Sequence, residues 1–367
     1  MRSVNSALPT SEPVPDRRVL PGEKVDFGRP MLRLLGFRVD VRVVVTAGIV
    51  ALLALACGFV ALLLGEFSLT PVEVFQGLFG QAEKRIVNTV VGEWRAPRVI
   101  GGIVLGAGLG ISGAVFQSLT RNPLGSPDII GFSTGAYTGG IITIIFFGTS
   151  FVSTAFGAII GGILTAAIVY LLTWKGGVQG FRLIIVGIAL TAMLNAFNTW
   201  LIMRADLDLA MAAATWGAGS LNGMSWSTIL PAAIGTILLG LGCGLFSRDL
   251  GTLELGDDTA KALGVRNESV RAALILVAVA LVAVVTAAAG PIAFVALAAP
   301  QIGRRIAKAQ GTSLLTSAAV GALLLVGADL IAQHAFGDIQ LPVGVVTVCI
   351  GGIYLIWLLI QEARKAQ

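Results

Sequence analysis

Apolar residues along this chain come in long unbroken runs separated by short polar breaks. Nine runs are clear, near 43–64, 99–118, 129–147, 154–173, 183–203, 229–246, 272–290, 312–334 and 342–361. Each is close to the roughly 20 residues that a helix needs to cross the hydrocarbon core of a bilayer. None shows the alternation of a transmembrane β-barrel strand. The pattern predicts an all-α polytopic membrane protein. A tenth run, near 291–303, is short and flanked by Pro291 and Pro300. Its length leaves open whether it crosses. Charge decides. With ten spans and an inside N-terminus, only Lys84, Arg85, Arg95, Arg98 and Arg204 of the 25 Lys and Arg residues fall outside. If 272–303 were one span, Arg304, Arg305, Lys308, Arg364 and Lys365 would move outside as well. Positive residues stay inside, so ten transmembrane helices are expected, with both termini cytoplasmic.

Composition sharpens this picture. Of 367 residues, 56% are hydrophobic and 12% charged, against about 25% charged in ordinary globular domains. Mean hydropathy is +0.89. A water-soluble fold of this make-up would lack the polar residues to cover its surface. Disordered and disulfide-rich secreted classes are excluded by the same figures. A net charge of +5 would point to nucleic acid in a soluble protein. Here the basic residues lie between apolar runs and read as topology signals. Cys57, Cys243 and Cys349 sit far apart in apolar stretches and read as small buried hydrophobes. Residues 1–42 are polar and proline-rich and read as a flexible cytoplasmic tail, leaving 43–367 as the membrane domain. Ala54-Leu55-Ala56-Cys57 faintly resembles a lipoprotein cleavage site, but the apolar run continues to Leu64 and is long enough to span. Two polar insertions stand out. One is an external loop over 65–94; the other is a cytoplasmic loop over 247–271.

Small residues recur at every fourth position in two runs: Gly102, Gly106, Gly110 and Ala114, then Gly131, Gly135 and Gly139. Such stripes let helix backbones approach closely in lipid. Gly108, Gly110 and Gly113 match G-x-G-x-x-G, but no strand precedes them and the match is accidental. No G-x-x-x-x-G-K-[ST] occurs, so the chain has no P-loop of its own and any use of ATP must come from a partner. His334 is the only histidine, and neither metal chemistry nor His-based catalysis finds a footing. Asn122-Pro123-Leu124-Gly125-Ser126-Pro127-Asp128 makes a tight turn between two spans. Ser126 can cap the next helix, with Pro127 at its first position and Asp128 favoured by its dipole. Asp329 is a carboxylate within a span, and Gln333 one turn on can hydrogen-bond it, which favours a structural role. Thr191, Asn195 and Asn198 share a helical face. Pathway lining and interhelical bonding are equally open for them. Arg95 and Arg98 flank Pro97 on the outside, against the charge trend. They are either snorkelling anchors or a docking site for carboxylates. In the 247–271 loop, Gly256 and Gly264 bracket a short helix with acids in its first turn. Its Ala260 and Leu263 make a small apolar face, as a helix that inserts in a partner's groove needs.

The stretch Trp94 to Phe132, W-R-A-P-R-V-I-G-G-I-V-L-G-A-G-L-G-I-S-G-A-V-F-Q-S-L-T-R-N-P-L-G-S-P-D-I-I-G-F, strongly resembles the FecCD permease family. L-E-L-G-D-D-T-A-K-A-L-G-V, A-G-P-I-A-F-V-A-L-A-A-P-Q-I-G-R-R, A-D-L-I-A-Q-H and L-P-V-G-V-V-T follow in order, so the resemblance covers roughly 43–365. It implies a type II importer permease of the ABC class, the membrane subunit of transporters for ferric siderophores, haem or vitamin B12. It implies ten helices per subunit and a two-permease core, here a heterodimer. Two ATPases bind below that core, and an extracytoplasmic ferric-siderophore-binding protein docks above. Glu254, Leu255, Gly256, Asp257, Ala260, Leu263 and Gly264 then belong to the helix that couples to the ATPase. Arg95 and Arg98 match external arginines that pair with glutamates of the binding protein. Gln301 stands where many members have His, and Gln333 where some have a third docking arginine.

The expectation is therefore a subunit of an ATP-driven importer of a ferric siderophore, catecholate by resemblance, in a bacterial plasma membrane. The chain itself does no covalent chemistry and holds no cofactor. An ion-coupled secondary transporter is the alternative. It should carry coupling residues near the midplane on broken helices, and the 247–271 loop would have no purpose in it. An intramembrane enzyme lacks a nucleophile–base pair.

Overall fold

Each apolar run becomes a helix in the computed structural model, which describes residues 31–34, 37–173, 180–309, 311–335, 337 and 340–365. The apolar helices are Val41–Leu63, Ala96–Thr120, Phe132–Phe147, Phe151–Thr173, Gly180–Arg204, Trp226–Leu245, Asn267–Ala289, Val295–Ala307, Leu314–His334 and Val343–Lys365. Seven helical stretches are long and apolar enough to cross a membrane, and Phe132–Phe147 and Val343–Leu358 are shorter apolar helices. Val295–Ala307 has 13 residues. At 1.5 Å per residue it is only about 20 Å long, two thirds of a bilayer core. The ambiguous tenth run is thus a separate, short helix. It is set off from Asn267–Ala289 by Gly290 at φ 73° and Phe294 at φ 67°.

The polar connections gather at two ends. One end holds 121–131, 246–266, 308–309 and 311–313. The other holds 64–95, 148–150, 205–225 and 340–342. The helix Ala96–Thr120 lies at the centre: 72% of the apolar window in its stretch is buried, against 22% for Phe151–Thr173. Its first glycine stripe explains how. Gly106 and Gly110 face the backbone of Gly321 and Ser317, and a side chain at either would collide with it. Gly113 meets the Ala296 carbonyl in the same way. The G-x-G-x-x-G match is therefore a packing surface. In the second stripe, Gly135 and Gly139 pack on the Phe151–Thr173 helix at Thr165 and Gly157, while Gly131 turns instead to Thr191. Apolar side chains fill the space between. Phe116, Ile130, Leu183, Leu253 and Leu274 cluster toward the first end, and Leu105, Leu221, Ile229, Val285 and Leu325 toward the second.

Three expectations are corrected. Residues 31–40, read as part of an unstructured tail, hold a two-stranded antiparallel hairpin, Met31–Leu34 with Phe37–Asp40. The alternation of Leu32, Leu34, Phe37 and Val39 with Arg33 and Arg38 is a strand pattern. Residues 1–30 lie outside the described residues. Of the cysteines only Cys243 is buried, with Cys57 intermediate and Cys349 exposed. The helix expected to start at Pro127 starts at Phe132 after Gly131. Ser126 Oγ does accept from the Ile129 N–H at 3.3 Å, but it caps a turn, not the helix.

Candidate functional site

The polar loop at the first end folds into two short helices, Ser247–Glu254 and Asp257–Ala262. Gly256 joins them at φ 114°, ψ 153°, a backbone conformation open to glycine. Gly264 closes the second helix at φ 84°. Both bracketing glycines thus have a backbone reason. Two of the loop's acids, Glu254 and Asp257, are bound to the helix ends beside it, while Asp258 is exposed. Glu254 Oε1 accepts from the Ser118 hydroxyl and, at 3.3 Å, from the Thr312 N–H. Asp257 Oδ1 accepts from Arg121 and, at 2.9 Å, from Arg271. Arg121 also donates from Nε to the Leu253 carbonyl at 3.1 Å, and Asn267 donates to the Asp257 carbonyl at 2.7 Å. The loop is therefore tied to the end of Ala96–Thr120 and to the starts of Asn267–Ala289 and Leu314–His334. Burial opposes the charge on Asp257. The guanidiniums of Arg271 and Arg121 outweigh it and hold the carboxyl below its ordinary value.

The apolar face of this loop is not the expected one. Ala260 is fully buried, in one apolar cluster with Leu250 and Leu253. Leu255 and Leu263 are the outward pair, 66% and 64% exposed. Leu263 caps the helix, one residue past its last member Ala262, so the three-residue step that would set it beside Ala260 on one face ends before it. Arg121, Arg271 and Ser118 were not singled out in the sequence. An arginine heading an otherwise apolar run, as Arg271 does, was the available signal.

The turn 122–131 adjoins this loop. Asn122 Oδ1 accepts from the Leu124 N–H at 2.9 Å, and the Pro123 carbonyl accepts from Gln301 Nε2 at 2.7 Å. Tyr354 donates to Gln301 Oε1 at 3.4 Å. Asp128 accepts from the Ser133 hydroxyl and from the Phe294 N–H.

At the second end, Arg98 is engaged within the protein. Its Nε and Nη2 donate to Asp329 Oδ2 and Oδ1, both at 2.8 Å, and the two side chains are 13% and 6% exposed. Gln333 donates to the same carboxylate at 2.7 Å. Asp329 thus has the structural pairing expected of it, but its partner is Arg98 on another helix. Arg95 donates to the carbonyls of Leu62 at 2.7 Å and Phe67 at 3.0 Å. The pair of free guanidiniums that docking calls for is not what this end contains. Arg95 and Arg98 nonetheless line a cavity of about 410 Å³ with Glu93, Trp94, Gln333 and Gln340.

Thr191, Asn195 and Asn198 are not brought together. Thr191 donates to Gly187 of its own helix at 2.8 Å. Asn195 is exposed. Asn198 is buried, and its amide has no partner among the described residues.

Among the described residues, seven helical stretches long and apolar enough to cross a membrane, two shorter apolar helices and a pinned helical loop at one end define a polytopic membrane protein. The FecCD transport family model matches residues 52–361, and the chain belongs to that family. It is 50% identical to the ferric enterobactin transport system permease protein FepG of Escherichia coli K12, over 88% of this chain and 98% of that protein. It is 36% identical to the iron(3+)-hydroxamate import system permease protein FhuG of Bacillus subtilis 168, over 84% and 95%. A solved inward-facing structure described as a metal-chelate type ABC transporter superposes with TM-score 0.76 at 28% identity, covering 86% of this chain and 98% of that one. The protein is a multi-pass inner-membrane permease of the ABC importer class, a transport component and not an enzyme. Permeases of this class work with ATPase and binding-protein subunits. The secondary-transporter reading falls with that membership.

Proposed function

We propose that this chain carries a ferric catecholate siderophore of the enterobactin kind, as half of a heterodimeric permease core. The observation that carries this reading is the 50% identity to a ferric enterobactin permease over nearly its whole length, against 36% to a hydroxamate permease. The 247–271 loop faces the cytoplasm, and both termini lie there, in keeping with the excess of Lys and Arg at that end. ATP and Mg²⁺ sit on the partner ATPase, which takes Leu255 and Leu263 into a groove. Its movement passes through Glu254 and Asp257 to three helices and switches a path between the two permeases. Thr191 and Asn195 border that path, with Asn198 behind them. The binding protein docks at the opposite end. Arg95 offers the accessible charge there, and Arg98 is held back by Asp329.

The test is purification of the tagged chain in mild detergent, followed by reconstitution with whatever co-purifies in stoichiometric amounts. A P-loop ATPase and a different FecCD permease are expected. The vesicles should take up iron-loaded enterobactin only with ATP inside the ATPase compartment. Uptake of a ferric hydroxamate in place of the catecholate would overturn the substrate, and a core of two identical permeases would overturn the heterodimer.

A further inference from the structure

Two of the ten helices are short, Phe132–Phe147 and Val295–Ala307, and their N-termini meet at one carboxylate. Asp128 Oδ1 accepts from the hydroxyl of Ser133, in the first turn of one helix. Its Oδ2 accepts, at 3.3 Å, from the N–H of Phe294, the residue that caps the other. Among the described residues no Lys or Arg is paired with Asp128. Two helix N-termini supply the positive potential instead. The second bond is long, and burial opposes the charge on the carboxyl, so what Asp128 supplies is acceptor oxygens placed between the two helix starts.

Phe294 is the strained member. It is one of three described non-glycine residues with positive φ, at φ 67°, ψ −25°. Aromatic residues reach that region only where the surroundings impose it. Its side chain fills the space left by Gly351, where any Cβ would strike the ring. The helix that Phe294 starts is held again further on. Gln117 donates to the Leu297 carbonyl at 2.9 Å, and Gln301 donates to Pro123 at 2.7 Å. The segment that carries Asp128 begins at Arg121, whose guanidinium binds Asp257 and Leu253 of the helical loop. Eight residues thus connect the loop that meets the ATPase to the break at Phe294.

We propose that Asp128 is a positioning residue for transport: it holds the strained turn at Phe294, so that displacement of the helical loop reaches the Val295–Ala307 helix through the 121–131 turn. The two short helices then move as one body. Without the carboxylate, Phe294 relaxes, and the loop moves while the short helix does not.

The test uses the reconstituted complex with iron-loaded enterobactin as probe, and so rests on the substrate assigned above; the native complex in the same assay separates failure of that assignment from failure of this one. Asp128→Ala should keep ATP hydrolysis within about twofold of native and lower uptake per ATP by about tenfold, a coupling of the size that links sites in other proteins. Asp128→Asn keeps an oxygen acceptor for the Phe294 N–H and should recover most of that ratio. It also serves if Asp128→Ala does not assemble. Phe294→Gly adopts a left-handed backbone without strain. In that background Asp128→Ala should cost no more than about twofold, because the strain that the carboxylate restrains is gone. A native uptake-to-ATP ratio in Asp128→Ala overturns the proposal. So does a loss that is the same in both backgrounds, and so does an assembled Asp128→Asn complex that is as uncoupled as Asp128→Ala.

Discussion

The two ends of the bundle each hold aspartate against arginine, and they do so differently. At one end Arg98 and Asp329 form a single bidentate pair, nearly enclosed, with Gln333 filling the remaining acceptor. At the other, Asp257 is shared between Arg121 and Arg271 and is 45% exposed. Breaking the enclosed pair strands a charge in low dielectric. The shared carboxylate keeps water and two cations within reach, so its bond to the half-exposed Arg121 can loosen without stranding a charge, while the buried Arg271 holds it from the other side. A rigid clamp and an adjustable hub are thus built from the same chemistry, separated by the exposure of Asp257 and Arg121.

The sharpest way to break this comparison is to remove one side of the clamp. Asp329→Ala leaves Arg98 buried and unpaired, and should cost about 3–5 kcal/mol of stability, read as a lowered melting temperature of the detergent-solubilised protein. Replacing both partners, Arg98→Met with Asp329→Leu, should restore most of it. If the single variant melts like the native protein, the pair is not a clamp. A smaller effect belongs to the hub's hinge. Gly256→Ala forces a side chain into a glycine-only conformation at a cost of about 1–3 kcal/mol, and should reduce ATPase association while the membrane helices stay folded by circular dichroism.

Asp257 itself should matter less to stability, within about 1 kcal/mol, but with a pH signature. Its folded pKa lies below the ordinary 3.8. Its contribution is therefore complete above that value and is lost as pH falls through the depressed folded pKa. Asp257→Asn should flatten the acid limb of stability below about pH 4, measured by unfolding across that range. An unchanged acid limb would remove Asp257 from the hub. The smallest effect on stability is expected at the outward leucines. Leu255→Ala with Leu263→Ala should shift unfolding by no more than about 0.5 kcal/mol, yet weaken binding of the ATPase in a pull-down. A native-strength pull-down would show that the loop meets its partner elsewhere.

Local chemistry was legible in the chain; long-range pairing was not. Nine helices could be read because lipid demands a long apolar run for each. The tenth needed the distribution of arginine and lysine as well. The helical loop could be read from its bracketing glycines and early acids. Which of its apolar residues faced out could not, because Ala260 joins an apolar cluster drawn from several helices and Leu263 falls just past the helix end. The pairing of Arg98 could not be read for a similar reason. Its partner Asp329 lies 231 residues away, and nothing near either residue announces the other. The hairpin at 31–40 was missed because a proline-rich neighbourhood masked a short alternating stretch.

The glycine seam between Ala96–Thr120 and Leu314–His334 has one further consequence. Most helix contacts are cushioned by side chains, which can change rotamer and let one helix tilt against another by degrees. Here Gly106 and Gly321 bring main chain against main chain, with no such padding. A seam of that kind behaves as a weld. Whatever reorganisation opens the path must carry this pair of helices together as one rigid unit, with neither sliding against the other.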